Sequence, residues 1–108
     1  MSTSKETHDY LLDCLCRARD VTTRRMMGEY CVYCEGKLIG EICDGQLFLK
    51  VTETSKRLLA DCPLEHPHEG AKAFLYRVDE FENVDLMREL LAGMVRELPE
   101  PKKKKRKG

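Results

Sequence analysis

The sequence lacks tryptophan, and it lacks any apolar run approaching the ~20 residues that a membrane-spanning helix needs. Its first ten residues, MSTSKETHDY, also lack the apolar stretch of a secretory signal peptide. We therefore expect a cytoplasmic protein with no contact to a membrane. Because disulfides belong mainly to exported proteins, we also expect the six cysteines to be reduced thiols.

Motifs that mark common catalytic sites are missing as well. The chain contains neither a glycine-rich phosphate-binding loop nor the nucleophile turn of a serine hydrolase. His8 lies near a predicted helix start, and His66 and His68 lie in a proline-rich loop, so the histidines form no acid–base group along the sequence. We expect a non-enzymatic protein with no catalytic residue and no cofactor.

A net charge of zero hides two regions of opposite sign. Residues 102–107 hold six of the 19 Lys and Arg residues, which leaves 13 against 19 Asp and Glu, a net charge of −6 for the remainder. We divide the chain into a folded domain over 1–99 and a disordered basic tail over 100–108, because like charges repel. Weak nucleic-acid binding without sequence preference is predicted for the tail residues Lys102, Lys103, Lys104, Lys105, Arg106 and Lys107.

Apolar spacing predicts three helices. The first covers about residues 5–18 and begins at a capping box formed by Thr3 and Glu6. Thr52 begins a short middle helix, and Asn83 begins the last one. The segment VTTRRMMGE after the first helix is predicted to be a connection, with Gly28 supplying a turn or a bulge. The apolar stripe of the last helix consists of Met87, Leu90, Leu91, Met94 and Leu98.

Residues 30–34, 38–43 and 47–51 are rich in strand-forming residues and are separated by turn signals at 35–36 and 44–45. They predict a three-stranded antiparallel meander. A fourth strand is predicted in AKAFLYRV, with Phe74, Tyr76 and Val78 on one face, whereas Pro63 and Pro67 exclude regular structure from most of 62–69. The fold class is therefore α+β, an antiparallel sheet packed by N-terminal, middle and C-terminal helices.

The cysteines in CVYC have two interpretations. Cys31 and Cys34 have the spacing of half a zinc site, which Cys62 and His66 would complete in a small metal- or thiol-dependent protein. On a strand, however, residues three apart point to opposite faces and cannot bind one ion together. This favours the second interpretation, in which the thiols pack as small apolar groups and the chain has no metal site.

The segment RRMMGEYCVYCEGKLIGEICDGQLFLKV resembles the N-terminal domain of the TfoX/Sxy family, regulators of DNA-uptake competence in bacteria. Residues 25–28 correspond to that family's Met-Phe-Gly-Gly-like turn, 35–37 to its acidic-Gly hairpin and 44–50 to its third strand, and the resemblance covers about residues 5–98. It implies an α+β domain without established catalytic residues. It also implies a regulatory role through a protein partner, such as a transcription regulator. The oligomeric state is left open, with a homodimer as one alternative.

Overall fold

The computed structural model describes residues 3–26 and 29–99. None of the described helices is long and apolar enough to span a membrane. In chain order the elements are α1 Lys5–Cys16, β1 Val21–Met26, β2 Glu29–Cys34, β3 Lys37–Cys43, β4 Gln46–Leu49, α2 Glu53–Leu58, β5 Leu64–Glu65, β6 Leu75–Val78 and α3 Val84–Glu97.

The six strands form one sheet in the order β1-β2-β3-β4-β6-β5, and every neighbouring pair is antiparallel. Two-residue turns connect β2 to β3 at Glu35 and Gly36 and β3 to β4 at Asp44 and Gly45. All four residues have φ between 53° and 82°, as the favoured hairpin turns require. The predicted α+β class, the meander and both turns are confirmed.

Two strands were not expected. β1 occupies the segment that was predicted to be a connection. Its residues are largely exposed and have no alternating apolar pattern, so they form a strand because their backbone pairs with β2. β5 lies within the segment that the prolines were predicted to keep irregular. It has only two residues and pairs with β6, and the carbonyl of Pro63 accepts a hydrogen bond from the Arg77 N–H at 3.0 Å.

The first helix begins at residue 5 as predicted, and the predicted helix caps are right in two cases out of three. Thr52 caps α2 and Asn83 caps α3, as predicted. The capping box at Thr3 and Glu6 is wrong, because Ser4 caps α1 and accepts the N–H of Thr7. The Thr3 hydroxyl instead donates to a carboxylate oxygen of Glu29 at 2.6 Å.

The main hydrophobic core lies between one face of the sheet and the three helices, and we call this the helix face. The stripe of α3 is buried there, except that Leu98 follows the helix and is only half-buried. Phe74 precedes β6 and is 55% exposed, so the prediction that it shares a strand face with Tyr76 and Val78 is wrong. Fully buried residues of the core include Leu11, Leu15, Val32, Cys34, Ile39, Ile42, Leu47, Leu49, Met87, Leu90, Leu91 and Met94.

Two predictions lie outside the described residues. They are the turn or bulge at Gly28 and the basic tail over 100–108 with its six candidate nucleic-acid contacts.

Candidate functional site

The sheet has a second face, opposite the helices, which we call the loop face. A small buried cluster of Cys43, Phe48 and Leu75 lies on it, because these residues alternate along their strands with helix-face residues. The loop of residues 66–74 passes over part of this face, where Pro67 is buried. The chemically reactive side chains of the sheet are concentrated here.

A β-bulge in β3 determines which residues share the loop face. Val32 pairs with Gly40, but the next residue of β2, Tyr33, pairs with Leu38, so Ile39 is an extra residue on β3. Beyond the bulge, the side-chain alternation of β3 is shifted by one residue relative to β2. This shift allows both Ile39 and Ile42, three residues apart, to be buried in the helix-face core.

The same shift places Cys31, Glu41 and Cys43 on the loop face, since Cys31 of β2 pairs directly with Glu41 of β3. Together with Met26 and His68 they line a groove of about 320 Å³, which we call the thiol groove. A second groove of about 430 Å³ lies beside it under the 66–74 loop, and Glu41 and His68 border both.

Short contacts connect the side chains of the thiol groove. The sulfur of Cys31 lies 4.0 Å from the Met26 sulfur. The Cys43 thiol donates to Glu41 Oε1 at 3.4 Å, and Nε2 of His68 lies 3.5 Å from the same oxygen. Glu41 thus joins a thiol of the sheet to a histidine of the loop.

Burial, followed by the negative charge of Glu41, raises the pKa of the Cys31 thiol. Burial also raises the pKa of Cys43, to about 12, and the hydrogen bond to Glu41 adds to this effect. Both groups are therefore thiols at neutral pH. Because the thiolate is the nucleophile, neither cysteine is activated for nucleophilic catalysis.

The four residues of the metal alternative are not brought together in one site. Cys34 is fully buried in the helix-face core, and burial raises its pKa to about 11, whereas Cys31 lies on the loop face. Cys62 packs partly buried against the helix-face core, and His66 stacks on Phe74 with ring centroids 4.2 Å apart. Over residues 3–26 and 29–99, no group of three His, Cys, Asp or Glu side chains is arranged to hold a metal ion.

Sequence reasoning missed a polar cluster between α1 and the sheet. The ring of His8 is hydrogen-bonded through Nδ1 to Asp9 Oδ1 at 2.9 Å and through Nε2 to Thr23 Oγ1 at 2.8 Å, and it stacks on Tyr30 at 3.9 Å. Hydrolase triads have the same order of carboxylate, imidazole and hydroxyl, but their carboxylate is buried. Asp9 is exposed and also pairs with Lys5, so we assign the cluster to anchoring α1 on β1 and β2.

β1 forms one edge of the sheet and pairs with β2 alone among the described strands. All of its residues except Val21 and Thr23 are exposed. Arg24 and Arg25 are consecutive and therefore project to opposite faces of the edge, and neither has an ion-pair partner within the described part of the chain. An acidic domain thus presents a basic, unpaired strand edge.

Comparisons with known proteins identify relatives of this chain. The family described as "TfoX N-terminal domain" matches residues 13–90. An uncharacterized 12.7 kDa protein in the trpE 5′ region of Spirochaeta aurantia is 33% identical over 87 residues, which cover 81% of this chain and 76% of that protein. No solved structure matches the chain significantly.

Proposed function

The chain belongs to the TfoX N-terminal domain family, and from this we propose that it is a non-enzymatic regulatory module, located in the cytoplasm, that acts by binding a protein partner. The partner is a regulator of transcription or competence, as the family resemblance implies. The exposed edge of β1 supports this proposal most directly, because an unpaired strand edge is a template for adding a strand from another chain.

The positive charge of the β1 edge favours an acidic partner segment. The chain without residues 102–107 carries a net charge of −6, so a basic edge is a local exception on an acidic domain. Arg24 and Arg25 flank the unpaired backbone on its two faces. An extended segment with acidic side chains on both of its faces would pair with both arginines. Its backbone would hydrogen-bond to β1 at the same time. A second copy of β1 would bring four arginines together, which like-charge repulsion disfavours.

The test begins with affinity capture from the source cell using the tagged full-length chain, followed by reconstitution with the purified partner. Amide hydrogen exchange across Val21–Met26 should slow in the complex, because strand addition protects edge N–H groups. The double variant Arg24→Glu with Arg25→Glu should lose the partner. A matched control, Arg57→Glu with Arg88→Glu, makes the same charge change on α2 and α3 and should retain it.

Unchanged exchange in β1 when the partner binds, together with unchanged capture by the edge variant, would show that the interaction uses another surface. Protection of β1 in the purified chain alone, at concentrations where a dimer forms, would identify a second copy of the chain as the occupant and contradict the acidic-partner assignment.

A further inference from the structure

The thiol groove contains three sulfur atoms, and packing alone explains the position of only one of them. Cys43 is buried against Phe48 and Leu75, as expected for a small apolar side chain. Cys31 is only half-buried, and Met26 is 50% exposed. Both nevertheless face the groove, and their sulfurs lie 4.0 Å apart.

The register places the two thiols at a spacing that suits a bridging ion. Cys31 pairs with Glu41, so Cys43 lies diagonally across from Cys31 on the neighbouring strand. Diagonal positions of an antiparallel pair have Cα atoms about 7–8 Å apart, which exceeds the span of most disulfides, about 4.4–6.8 Å. Two sulfurs bound to one ion at about 2.3 Å each lie about 4 Å apart when three ligands share a plane, which is about 2 Å more than in a disulfide bond.

We propose that the thiol groove binds one Cu(I) ion through the sulfurs of Cys31 and Cys43, with the thioether of Met26 as the third ligand. As each copper–thiolate bond forms, the thiol transfers its proton to water, and no electron is transferred because the copper enters already reduced. One Cu(I) ion and two neutral thiols thus become a complex with a net charge of −1, and two protons are released. The site includes the side chain of Met26, the last residue of the basic edge strand, but uses none of that strand's backbone.

The ligand set selects this ion over zinc. Thiolate and thioether ligands are soft and favour Cu(I), which accepts two or three ligands in one plane. A structural zinc site requires four nitrogen, sulfur or oxygen ligands from the protein, and a catalytic site requires three such ligands and a water. No three His, Cys, Asp or Glu side chains meet in such an arrangement among the residues that the structure describes. Glu41, the nearest carboxylate, is already engaged with Cys43 and His68.

Both thiols are protonated before metal enters, because burial and Glu41 raise their pKa values. Binding of the cation therefore releases both protons, because a metal-bound cysteine is deprotonated. The Glu41 carboxylate, which accepts a hydrogen bond from the Cys43 thiol in the empty groove, is the group placed to receive that proton on its way to solvent.

The experiment is an anaerobic titration of the reduced, full-length chain with Cu(I) held by bicinchoninate, whose colour reports the copper that remains on the chelator. The wild-type chain should remove one equivalent. Cys31→Ser should lose this transfer, and Met26→Leu, which keeps the size of the side chain, should weaken it by more than about tenfold. Cys16→Ser and Cys62→Ser are matched controls on other surfaces and should transfer copper like the wild type.

Cys43 is buried, so copper binding by Cys43→Ser is interpreted only if its circular dichroism melt matches that of the wild type. If the melts differ, Cys31→Ser and Met26→Leu alone test the proposal. A wild-type chain that takes no copper from the chelator would overturn the proposal. So would a Cys31→Ser chain that takes a full equivalent, or loss of binding in either control, since binding would then reside on other thiols.

Discussion

On the helix face, Val32, Ile42 and Leu47 are fully buried beneath three helices, whereas on the other side of the same strands Cys31 and Glu41 face a groove. The strands are shared, so the difference lies in what covers each face. Helices bury one face in a continuous apolar core, and a single loop covers part of the other. Most of the stability therefore comes from the helix face, whereas the side chains of the loop face are free to differ in their chemistry.

Truncating a helix-face side chain should give the largest effect. Leu90 is fully buried, so Leu90→Ala should lower the free energy of unfolding by about 2–5 kcal/mol, a large part of the ~5–15 kcal/mol of a small domain. Urea unfolding measures this. Phe74→Ala, at an exposed position in the 66–74 loop, should stay within about 0.5 kcal/mol. Near-neutral results for both Leu90→Ala and Leu91→Ala would show that α3 does not belong to the core.

The helix face was predictable because its signals are local. The stripe of α3 repeats at helical spacing, and Asp44-Gly45 is a turn signal that needs no tertiary context. β1 was missed for the opposite reason. As an edge strand with two exposed arginines, it buries only Val21 and owes its conformation to pairing with β2, which no periodic pattern reveals.

A substitution in the β3–β4 turn should have a smaller effect that comes from the backbone alone. Gly45 has φ of +76°, and the nearest atom to an added Cβ, Thr7 Cγ2, is 3.8 Å away, so space is available. Gly45→Val should therefore cost roughly 1–2 kcal/mol of strain in the left-handed region. Gln46→Val adds the same side chain one residue later, in a strand, and should cost less. Equal melting temperatures for the two variants would rule out the strain argument.

The candidate site was harder to predict than the fold, because one bulge decides it. A regular hairpin from the turn at 35–36 would pair Cys31 with Gly40 and put Cys43 on the other face. The extra residue Ile39 reverses this. A glycine inside a strand, Gly40, was the available signal, since glycines often mark bulges. The contact of His68 with Glu41 joins a loop to a strand 27 positions earlier, which sequence spacing does not indicate.

A still smaller effect should appear on the helix face at acid pH. The carboxylate of Glu97 accepts hydrogen bonds from the Thr54 hydroxyl at 2.7 Å and the Thr54 N–H at 2.9 Å, and these bonds lower its pKa from the ordinary 4.5. A carboxyl whose pKa is lower in the folded state contributes stability above its unfolded pKa and loses it as pH falls through the folded pKa.

Unfolding of the wild-type chain should therefore become easier as the pH falls below about 4.5, and Glu97→Gln should flatten this part of the pH profile. Thr54→Val, which keeps the shape of Thr54 but removes the hydroxyl, should flatten it partly, because the backbone bond remains. Urea midpoints between pH 6 and pH 3 provide the measurement. Parallel profiles for all three chains would show that Glu97 contributes nothing through this contact.

The smallest effect on stability is expected from the basic run, which tests whether either face binds nucleic acid. Deleting residues 102–108 should leave the melting temperature nearly unchanged, because the core lies within residues 3–26 and 29–99. It should abolish weak binding to duplex DNA, since the remaining chain carries a net charge of −6. If all six charges meet phosphates, the slope of log affinity against log salt is bounded at about −5, and repulsion from the acidic domain should make it shallower.

Replacing the six basic residues with Gln keeps the length and should act like the deletion. If the truncated chain still binds duplex DNA at physiological salt, and Arg24→Glu with Arg25→Glu removes that binding, the edge of β1 is a nucleic-acid surface, and its assignment to an acidic protein segment is wrong.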